Sequence, residues 1–174
     1  MLPGRVMEPN QTRAEMTIKV GDKLPNTTLF RVGTDGIESF ESESVFAGRK
    51  LVVFGLPGAF TPTCTAQHMP GYVKRADEFA AKGVAVACLS VNDAWVMKAW
   101  AKDQGAAGKV EMLADGNAEL TRAIGLDADM SARGYGTRCR RFAMIVDDGV
   151  VKTLAIEDGP VLEVSAAEKM LAAI

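Results

Sequence analysis

One stretch of the chain decides its fold: Leu51-Val-Val-Phe-Gly-Leu-Pro-Gly-Ala-Phe-Thr-Pro-Thr-Cys64. Its first part is short, apolar and rich in β-branched residues, which predicts a buried strand that ends at a Pro-Gly turn. Thr61 and Pro62 then predict the start of a helix, with Thr61 as the N-cap and Pro62 as the first helical residue. The chain therefore passes directly from a buried strand into a helix.

Cys64 is the third residue of that predicted helix. In the first turn the backbone N–H groups are unpaired and the helix dipole favours negative charge, so we expect the Cys64 thiol to ionise readily. The Thr61 hydroxyl, three residues earlier, is expected to accept a bond from this backbone and to face the thiol. The alternative is that Cys64 is only a small, half-buried apolar residue, as cysteines commonly are.

Strand and helix patterns alternate through the rest of the chain. The predicted strands are 27–32, 51–56, 84–91, 111–114, 142–146 and 150–156, and the predicted helices follow Cys64, Asp93, Asn117 and Ser165. Asp148-Gly149 predicts the turn of a hairpin, and Ser165 with Glu168 predicts a capping box. Mixed βαβ and ββα order predicts an α/β fold with a mixed central sheet and helices on both sides, in three layers α/β/α.

Composition limits the range of functions. At 174 residues and 48% hydrophobic, the chain fits one domain, which we place at 16–174 behind a flexible N-terminal extension at 1–15. A net charge of −2 argues against nucleic-acid binding, and no run approaches the ~20 apolar residues that cross a membrane. Three widely spaced cysteines favour a reducing, cytoplasmic environment, with organellar targeting by 1–15 left open.

Three separated motifs resemble those of one protein family. They are Pro57-Gly-Ala-Phe-Thr-Pro-Thr-Cys-Thr-Ala-Gln-His-Met-Pro-Gly-Tyr72, Ser90-Val-Asn-Asp-Ala-Trp-Val-Met-Lys-Ala-Trp100 and Arg140-Arg-Phe-Ala-Met-Ile-Val-Asp-Asp-Gly149. In this order they are similar to the motifs of peroxiredoxins, specifically the five-type or type II subfamily of thioredoxin-fold peroxidases. The resemblance runs from about Thr17 to Ile174, and it implies a thioredoxin fold and a thiol-dependent peroxidase active in antioxidant defence.

The resemblance also implies roles for individual residues. Cys64 would attack the peroxide O–O bond and become a sulfenic acid. Thr61 would orient the peroxide, Pro57 would shield the intermediate from water, and Arg141 would stabilise the thiolate and the leaving oxygen. A permanent cation aimed at developing negative charge lowers the barrier, so this chemistry needs neither a metal nor another cofactor.

Two of these side chains have alternative interpretations. Arg141 belongs to a basic cluster with Arg133, Arg138 and Arg140, which could be a solvated edge or an anion-binding patch. On a strand, Arg141 would share the inward face with Ala143 and Ile145. His68, the only histidine, could share a helical face with Cys64, although Pro70 should kink or interrupt the helix. We expect His68 to support the site rather than to act as a base.

Regeneration of the thiol is left open by the sequence. The animal-type resolving cysteine near the C-terminus is absent from 157–167. Cys88 could resolve the sulfenic acid or be buried and inert within an apolar strand, and we favour the second. Cys139, two residues from Arg141, is expected on the same strand face, where arginines could lower its pKa. The preferred scheme uses one cysteine and an external thiol, either glutathione with glutaredoxin or thioredoxin.

Other functions remain as alternatives. A thioredoxin-like disulfide exchanger would need Cys-x-x-Cys, but Thr61 occupies the place of the first cysteine. A non-catalytic peroxide sensor would also form a sulfenic acid. Cys64 and His68 offer too few ligands for zinc and lack a third partner for a hydrolase. The expected partners are therefore a peroxide, a thiol reductant and, as the resemblance implies, a second copy in a homodimer.

Overall fold

The structure is a computed structural model that describes residues 16–174. The extension predicted at 1–15 lies outside the described residues. No helix within 16–174 is long and apolar enough to cross a membrane.

The core of the fold is a mixed sheet of seven strands, accompanied by a separate two-stranded sheet. The strands are β1 Thr28–Gly33, β2 Gly36–Glu41, β3 Lys50–Gly55, β4 Ala85–Ser90, β5 Glu111–Ala114, β6 Asp127–Asp129, β7 Thr137–Cys139, β8 Phe142–Asp147 and β9 Val150–Ile156. The large sheet has the order β2-β1-β5-β4-β3-β8-β9, in which β3, β4 and β5 are parallel and the outer pairs are antiparallel. Among residues 16–174, strands β6 and β7 pair only with each other.

Helices cover both faces of the large sheet. They are α1 Glu43–Phe46, a π-helical segment Cys64–His68 that continues into α2 Met69–Ala81, α3 Ala94–Asp103, α4 Glu119–Ala123, a 3₁₀ turn Ser131–Arg133 and α5 Ala167–Ala172. One core contains Tyr72, Trp100 and Met170 from α2, α3 and α5. The opposite core contains Phe46 and Leu120 from α1 and α4. The predicted three-layer α/β/α arrangement is confirmed.

The hairpin of β8 and β9 has the turn that its sequence predicts. Asp148 and Gly149 both have positive φ, at 47° and 78°, as a two-residue turn matched to the strand twist requires. A register shift between Ile145 and Val146 then moves residues 142–145 of β8 by one position relative to β9. This shift places Arg141 opposite Glu157, whose backbone N–H donates to the Arg141 carbonyl at 3.0 Å.

The predicted capping box at the last helix is wrong. Helix α5 begins at Ala167, and no side chain caps its first turn. The Ser165 hydroxyl instead donates to the Glu157 carboxylate at 2.7 Å, and Glu168 lies on the surface 3.9 Å from Arg75. The Ser165 side chain therefore bonds to Glu157 and does not cap the helix start.

Candidate active site

The strand-to-helix transition around Cys64 forms as the sequence predicts. Strand β3 ends at Gly55, a loop follows, and the helix begins at Pro62, so Cys64 lies in its first turn. The Thr61 carbonyl accepts the first helical bond, from Thr65 N–H at 3.0 Å. The Thr61 hydroxyl donates backward to the Gly58 carbonyl at 2.7 Å, so it closes the loop instead of capping the helix.

The helix does not break at Pro70. From Cys64 to His68 its turns are π-helical, and the Met69 N–H donates to the carbonyl of Cys64, five residues earlier. Pro70 then falls in the first turn of α2, where a proline is tolerated. The interruption expected from Pro70 is thus a local widening of a continuous helix, and such π turns are frequent at functional sites.

Cys64 and Arg141 are in direct contact. The Arg141 guanidinium donates from Nη2 to Cys64 Sγ at 3.2 Å, and the two side chains are only 6% and 1% exposed. Arg141 immediately precedes β8 and does not lie in the strand, contrary to the expectation from the sequence. Ala143 and Ile145, which were expected to share a face with Arg141, pack in the same core as Cys64. A buried cation beside a sulfur stabilises the anionic form of that sulfur.

His68 contacts the other end of the same guanidinium. Arg141 Nη1 lies 2.8 Å from His68 Nδ1, and a guanidinium nitrogen can only donate, so Nδ1 accepts and the ring is neutral. Its proton is then on Nε2, which donates to the Ser165 carbonyl at 3.2 Å. Burial and then the charge of Arg141 lower the pKa of His68 to about 3. The structure brings the predicted site residue His68 into contact with Arg141.

A buried carboxylate holds the loop that His68 contacts. Glu157 accepts the backbone N–H groups of Glu163, Val164 and Ser165 at 2.8 to 3.1 Å, and also the Ser165 hydroxyl. Burial raises the pKa of Glu157, but these hydrogen bonds outweigh burial and the pKa is lowered. The Ser165 carbonyl also accepts from the Tyr72 hydroxyl at 2.7 Å. Sequence reasoning missed all of these contacts.

The loop between β3 and the helix is held by a second set of contacts. Asn92 Oδ1 accepts from the Ala59 N–H at 3.0 Å and from the Ser90 hydroxyl at 2.6 Å. Phe60 has a φ of 63°, which is uncommon for a residue with a side chain and indicates local strain that the surrounding contacts maintain. At Gly58 a Cβ would lie 2.7 Å from Nη1 of Arg138, so a larger residue there would displace the Arg138 side chain.

Pro57, Thr61 and Arg141 line one cleft of about 420 Å³. The Pro57 carbonyl accepts a hydrogen bond from Arg138 Nη1 at 3.3 Å. The cleft thus reaches the guanidinium that contacts Cys64. All four residues that the sequence placed in the site, Cys64 included, lie together at this end of the sheet.

The other two cysteines lie in different places. All three cysteines are free thiols. Cys88 is fully buried in the same core as Cys64, and burial raises its pKa well above the ordinary value. Cys139 packs in the core on the opposite face, so the expectation that it shares a face with Arg141 is wrong. The reason is that the chain leaves strand β7 at Cys139, and Arg140 and Arg141 form a connection to β8.

The electrostatic expectation for Cys139 is also wrong. Its pKa is raised, first by burial and then by Asp115, and these effects exceed the opposing effect of Arg140. Within 16–174 no group of three or more His, Cys, Asp and Glu side chains could hold a metal ion. The site is therefore built from one thiol, one guanidinium and one neutral imidazole, a set suited to nucleophilic chemistry at sulfur.

The fold and site have close relatives. The sequence model of the Redoxin family matches residues 19–171, so this chain belongs to the Redoxin family. Peroxiredoxin-2E-2, chloroplastic, of Oryza sativa subsp. japonica is 49% identical over 164 residues, which cover 91% of this chain and 73% of that protein. Peroxiredoxin-2B of Arabidopsis thaliana is 42% identical over 159 residues, 90% of this chain and 98% of the relative.

A solved structure agrees with the sequence relatives. The crystal structure of reduced Prx3 from Vibrio vulnificus in complex with H₂O₂ has a TM-score of 0.86 and 49% identity, and the match covers 90% of this chain and 99% of that one. The type II peroxiredoxin resemblance is thereby confirmed, and the chain is a thiol-dependent peroxidase with an antioxidant role. One relative is named as chloroplastic and the other carries no compartment in its name.

Proposed function

We propose that Cys64 is the peroxidatic nucleophile and that it reduces hydrogen peroxide and small organic hydroperoxides. The observation that carries this proposal is the 3.2 Å contact between Arg141 Nη2 and Cys64 Sγ at a helix start. A thiolate is the reactive form of cysteine, and both the guanidinium and the first helical turn favour it.

The reaction begins with attack of the Cys64 thiolate on one peroxide oxygen. An S–O bond forms while the O–O bond breaks, so the sulfur is oxidised to a sulfenic acid and the peroxide is reduced. The leaving oxygen departs with the electron pair of the O–O bond and takes up a proton to give water or an alcohol. Negative charge thus moves from sulfur to oxygen, within reach of the same cation.

Arg141 can follow this movement of charge. Its Nη1 and Nη2 are engaged by His68 and Cys64, and its Nε is buried without a hydrogen-bond partner among the residues described. An unsatisfied buried donor beside a reactive sulfur supports a role in binding a peroxide oxygen. Thr61 is the second group that we assign to peroxide binding, and Pro57 lines the entry and limits access of water.

Turnover then needs a reducing thiol, and we propose that it comes from outside the chain. Cys88 and Cys139 are fully buried, and burial raises the pKa of both, which argues against either as a resolving thiolate. An external thiolate attacks the sulfenic sulfur, forms a mixed disulfide and releases water. A second thiol then forms a disulfide with the first and restores Cys64. Glutathione with glutaredoxin, or thioredoxin, would supply these thiols.

We further propose a homodimer that works in a reducing compartment, with the cytoplasm as the first expectation. Phe60 beside the site and Trp95 on α3 are 53% and 54% exposed, and exposed aromatic side chains are common at interfaces. Sedimentation of the purified protein tests the dimer, which a monomer at micromolar concentration would exclude. Fractionation of the source cells tests the compartment.

The central experiment is mass spectrometry of the reduced protein after one equivalent of hydrogen peroxide. The proposal expects one added oxygen on Cys64, and then one glutathione adduct on Cys64 when glutathione is supplied. The Cys64→Ser protein should show neither product and no turnover. Turnover near the wild-type rate in Cys64→Ser would exclude Cys64 as the nucleophile, and a Cys64–Cys88 disulfide would exclude external resolution.

A further inference from the structure

The cleft beside Cys64 has cationic walls. Its lining includes Arg133, Arg140 and Arg141, three of the four arginines of the basic cluster seen in the sequence. None of these three belongs to the ion pairs of 4 Å or less within 16–174. None of the three is therefore directly paired with a carboxylate of the described part of the chain, although the protein as a whole is slightly acidic.

The two carboxylates that line the same cleft are occupied by other donors. Glu157 accepts from three backbone N–H groups and the Ser165 hydroxyl, and Asp129 accepts from the backbone N–H and hydroxyl of Ser131. Among residues 16–174, the hydrogen bond from the Arg140 side chain goes to the Glu157 backbone carbonyl, from Nη2 at 3.3 Å. Because these acids are engaged elsewhere, the guanidinium groups have capacity left for an outside anion.

The position and size of the cleft suit a reactant of Cys64. At about 420 Å³ the cleft lies within the range of about 300–1,000 Å³ that is usual for small-molecule sites. Tyr135, Met130 and Pro160 add apolar surface to its walls. Arg141 lines the cleft and also donates to the Cys64 sulfur, so a molecule in the cleft can reach the guanidinium that contacts the reacting atom. Arg133 and Arg140 lie along the same cleft, where they can bind a part of the molecule that does not react.

We propose that the cleft recognises a carboxylate on a small molecule that reacts at Cys64, with Arg133 and Arg140 as its binding residues. This inference rests on the proposed nucleophile Cys64 and deepens it, because it names the chemical class of the reactant. Two sources share that chemistry: a carboxylate-bearing thiol such as glutathione, and a carboxylate-bearing hydroperoxide. Arginine is well suited to either, since its planar fork of donors matches a carboxylate.

The first arm of the test measures binding without chemistry. The reduced wild-type protein is titrated with S-methylglutathione, which has no free thiol, and with its dimethyl ester, which has no carboxylate. The second arm measures KM for a short carboxylate-bearing hydroperoxide and for its methyl ester. A preference for the acid of about tenfold or more in either arm supports the proposal and identifies the source.

Arginine variants then locate the recognition. Arg133→Gln and Arg140→Gln should each weaken the preferred acid about three- to tenfold and leave the ester unchanged. Added salt should reduce binding of the acid in the wild type, because exposed charges are screened over about 8 Å at physiological ionic strength. Arg75→Gln, which removes a surface guanidinium on α2 that pairs with Glu78, is the matched control and should change nothing.

An assay with reactants that carry no carboxylate separates this inference from the proposed function. Consumption of hydrogen peroxide with dithiothreitol requires the Cys64 chemistry but no carboxylate, and it should survive Arg133→Gln. If glutathione fails to support turnover while the acid preference and its loss in Arg133→Gln persist, the reductant assignment fails and the anion site stands. Equal binding of acids and esters in both arms, or equal effects of Arg75→Gln and Arg133→Gln, would overturn the anion site.

Discussion

The Arg141 guanidinium bridges His68 Nδ1 and Cys64 Sγ, at 2.8 and 3.2 Å. Since Nδ1 accepts this bond, His68 is neutral and its Nε2 proton is directed to the Ser165 carbonyl. A neutral histidine leaves the positive charge of Arg141 uncompensated on that side. The hydrogen bond between Nη1 and His68 thereby orients the guanidinium towards the sulfur.

The tautomer of His68 can be observed directly, because the chain has only one histidine. We expect ¹⁵N NMR of the imidazole to show an unprotonated Nδ1 and a protonated Nε2, with no titration between pH 8 and pH 5. The reason is that burial and the Arg141 charge lower the pKa of His68 to about 3. Both nitrogens protonated at pH 5 would contradict the hydrogen-bond assignment.

The same pKa predicts how stability depends on pH. Below about 6.5 the unfolded chain binds a proton at His68 and the folded chain does not until about 3. Stability from this residue therefore falls as pH decreases through that window, by up to about 1.4 kcal/mol per pH unit. Urea unfolding of the wild type and His68→Gln at pH 8, 6 and 4.5 checks the sign. The stability advantage of the wild type should shrink as pH falls, and a constant difference would refute the coupling.

Arg141→Lys tests whether the bridging geometry matters beyond charge. A lysine ammonium is a point charge on a flexible stem, and it does not reproduce the fixed fork that reaches His68 and Cys64 together. We expect the reaction of Cys64 with peroxide to slow at least tenfold, and about a hundredfold or more in Arg141→Gln, where the charge is also lost. Stopped-flow measurement of sulfenic acid formation gives both rates.

Arg75→Lys is the control for that comparison, because it makes the same change on the surface of α2, where Arg75 pairs with Glu78. Its rate should equal that of the wild type. An Arg141→Lys rate within twofold of the wild type would mean that charge alone is sufficient. In that case the orientation set by His68 has no effect on the chemical step.

Local sequence patterns were sufficient to predict the strand and the helix start that position Cys64. The apolar run before Pro57 gave β3, and Thr61-Pro62 gave the helix start, because both depend on residues adjacent in the chain. The side of the sheet on which Arg141 lies also followed from extending the alternation of Ala143 and Ile145 back to residue 141. The contact between Arg141 and Cys64 spans 77 positions, and only the resemblance to a family placed these residues together.

Long-range hydrogen bonds could not be predicted in the same way. Ser165 looked like a helix cap, and nothing local shows that its hydroxyl is taken by Glu157. The predicted hairpin did indicate roughly which residue faces Arg141. Counting back from the Asp148-Gly149 turn puts residue 156 opposite Arg141, one position from Glu157. The register shift between Ile145 and Val146 is invisible in the sequence, and it moves Glu157 into that place.

Glu157→Gln tests whether the missed carboxylate positions the site. Its four hydrogen bonds hold the Ser165 carbonyl where His68 and Tyr72 donate to it. We expect a loss of about 2 kcal/mol of stability, since hydrogen bonds to a charged group are worth about 1.5–3 kcal/mol. We also expect broadened His68 NMR signals and slower sulfenic acid formation.

The pH dependence of this loss has a definite sign. The folded-state pKa of Glu157 lies below its ordinary value of 4.5, so its stabilisation is present above that pH and is lost as pH falls through the folded pKa. Glu163→Gln, with an exposed side chain, is the matched control. If Glu157→Gln loses stability but keeps the rate and the His68 signals of the wild type, Glu157 holds the loop without positioning the site.

Cys88→Ser and Cys139→Ser should both leave turnover supported by glutathione within about twofold of the wild type. Cys88 lies in the Cys64 core, but it is fully buried and its pKa is raised, so it is protonated when the sulfenic acid forms. Cys139 is separated from Cys64 by the sheet, because it packs in the opposite core. The measurement is steady-state peroxide consumption with glutathione, paired with thermal unfolding to detect any packing defect. A large loss of turnover in Cys88→Ser at unchanged stability would make Cys88 the resolving residue, and the one-cysteine scheme would have to be abandoned.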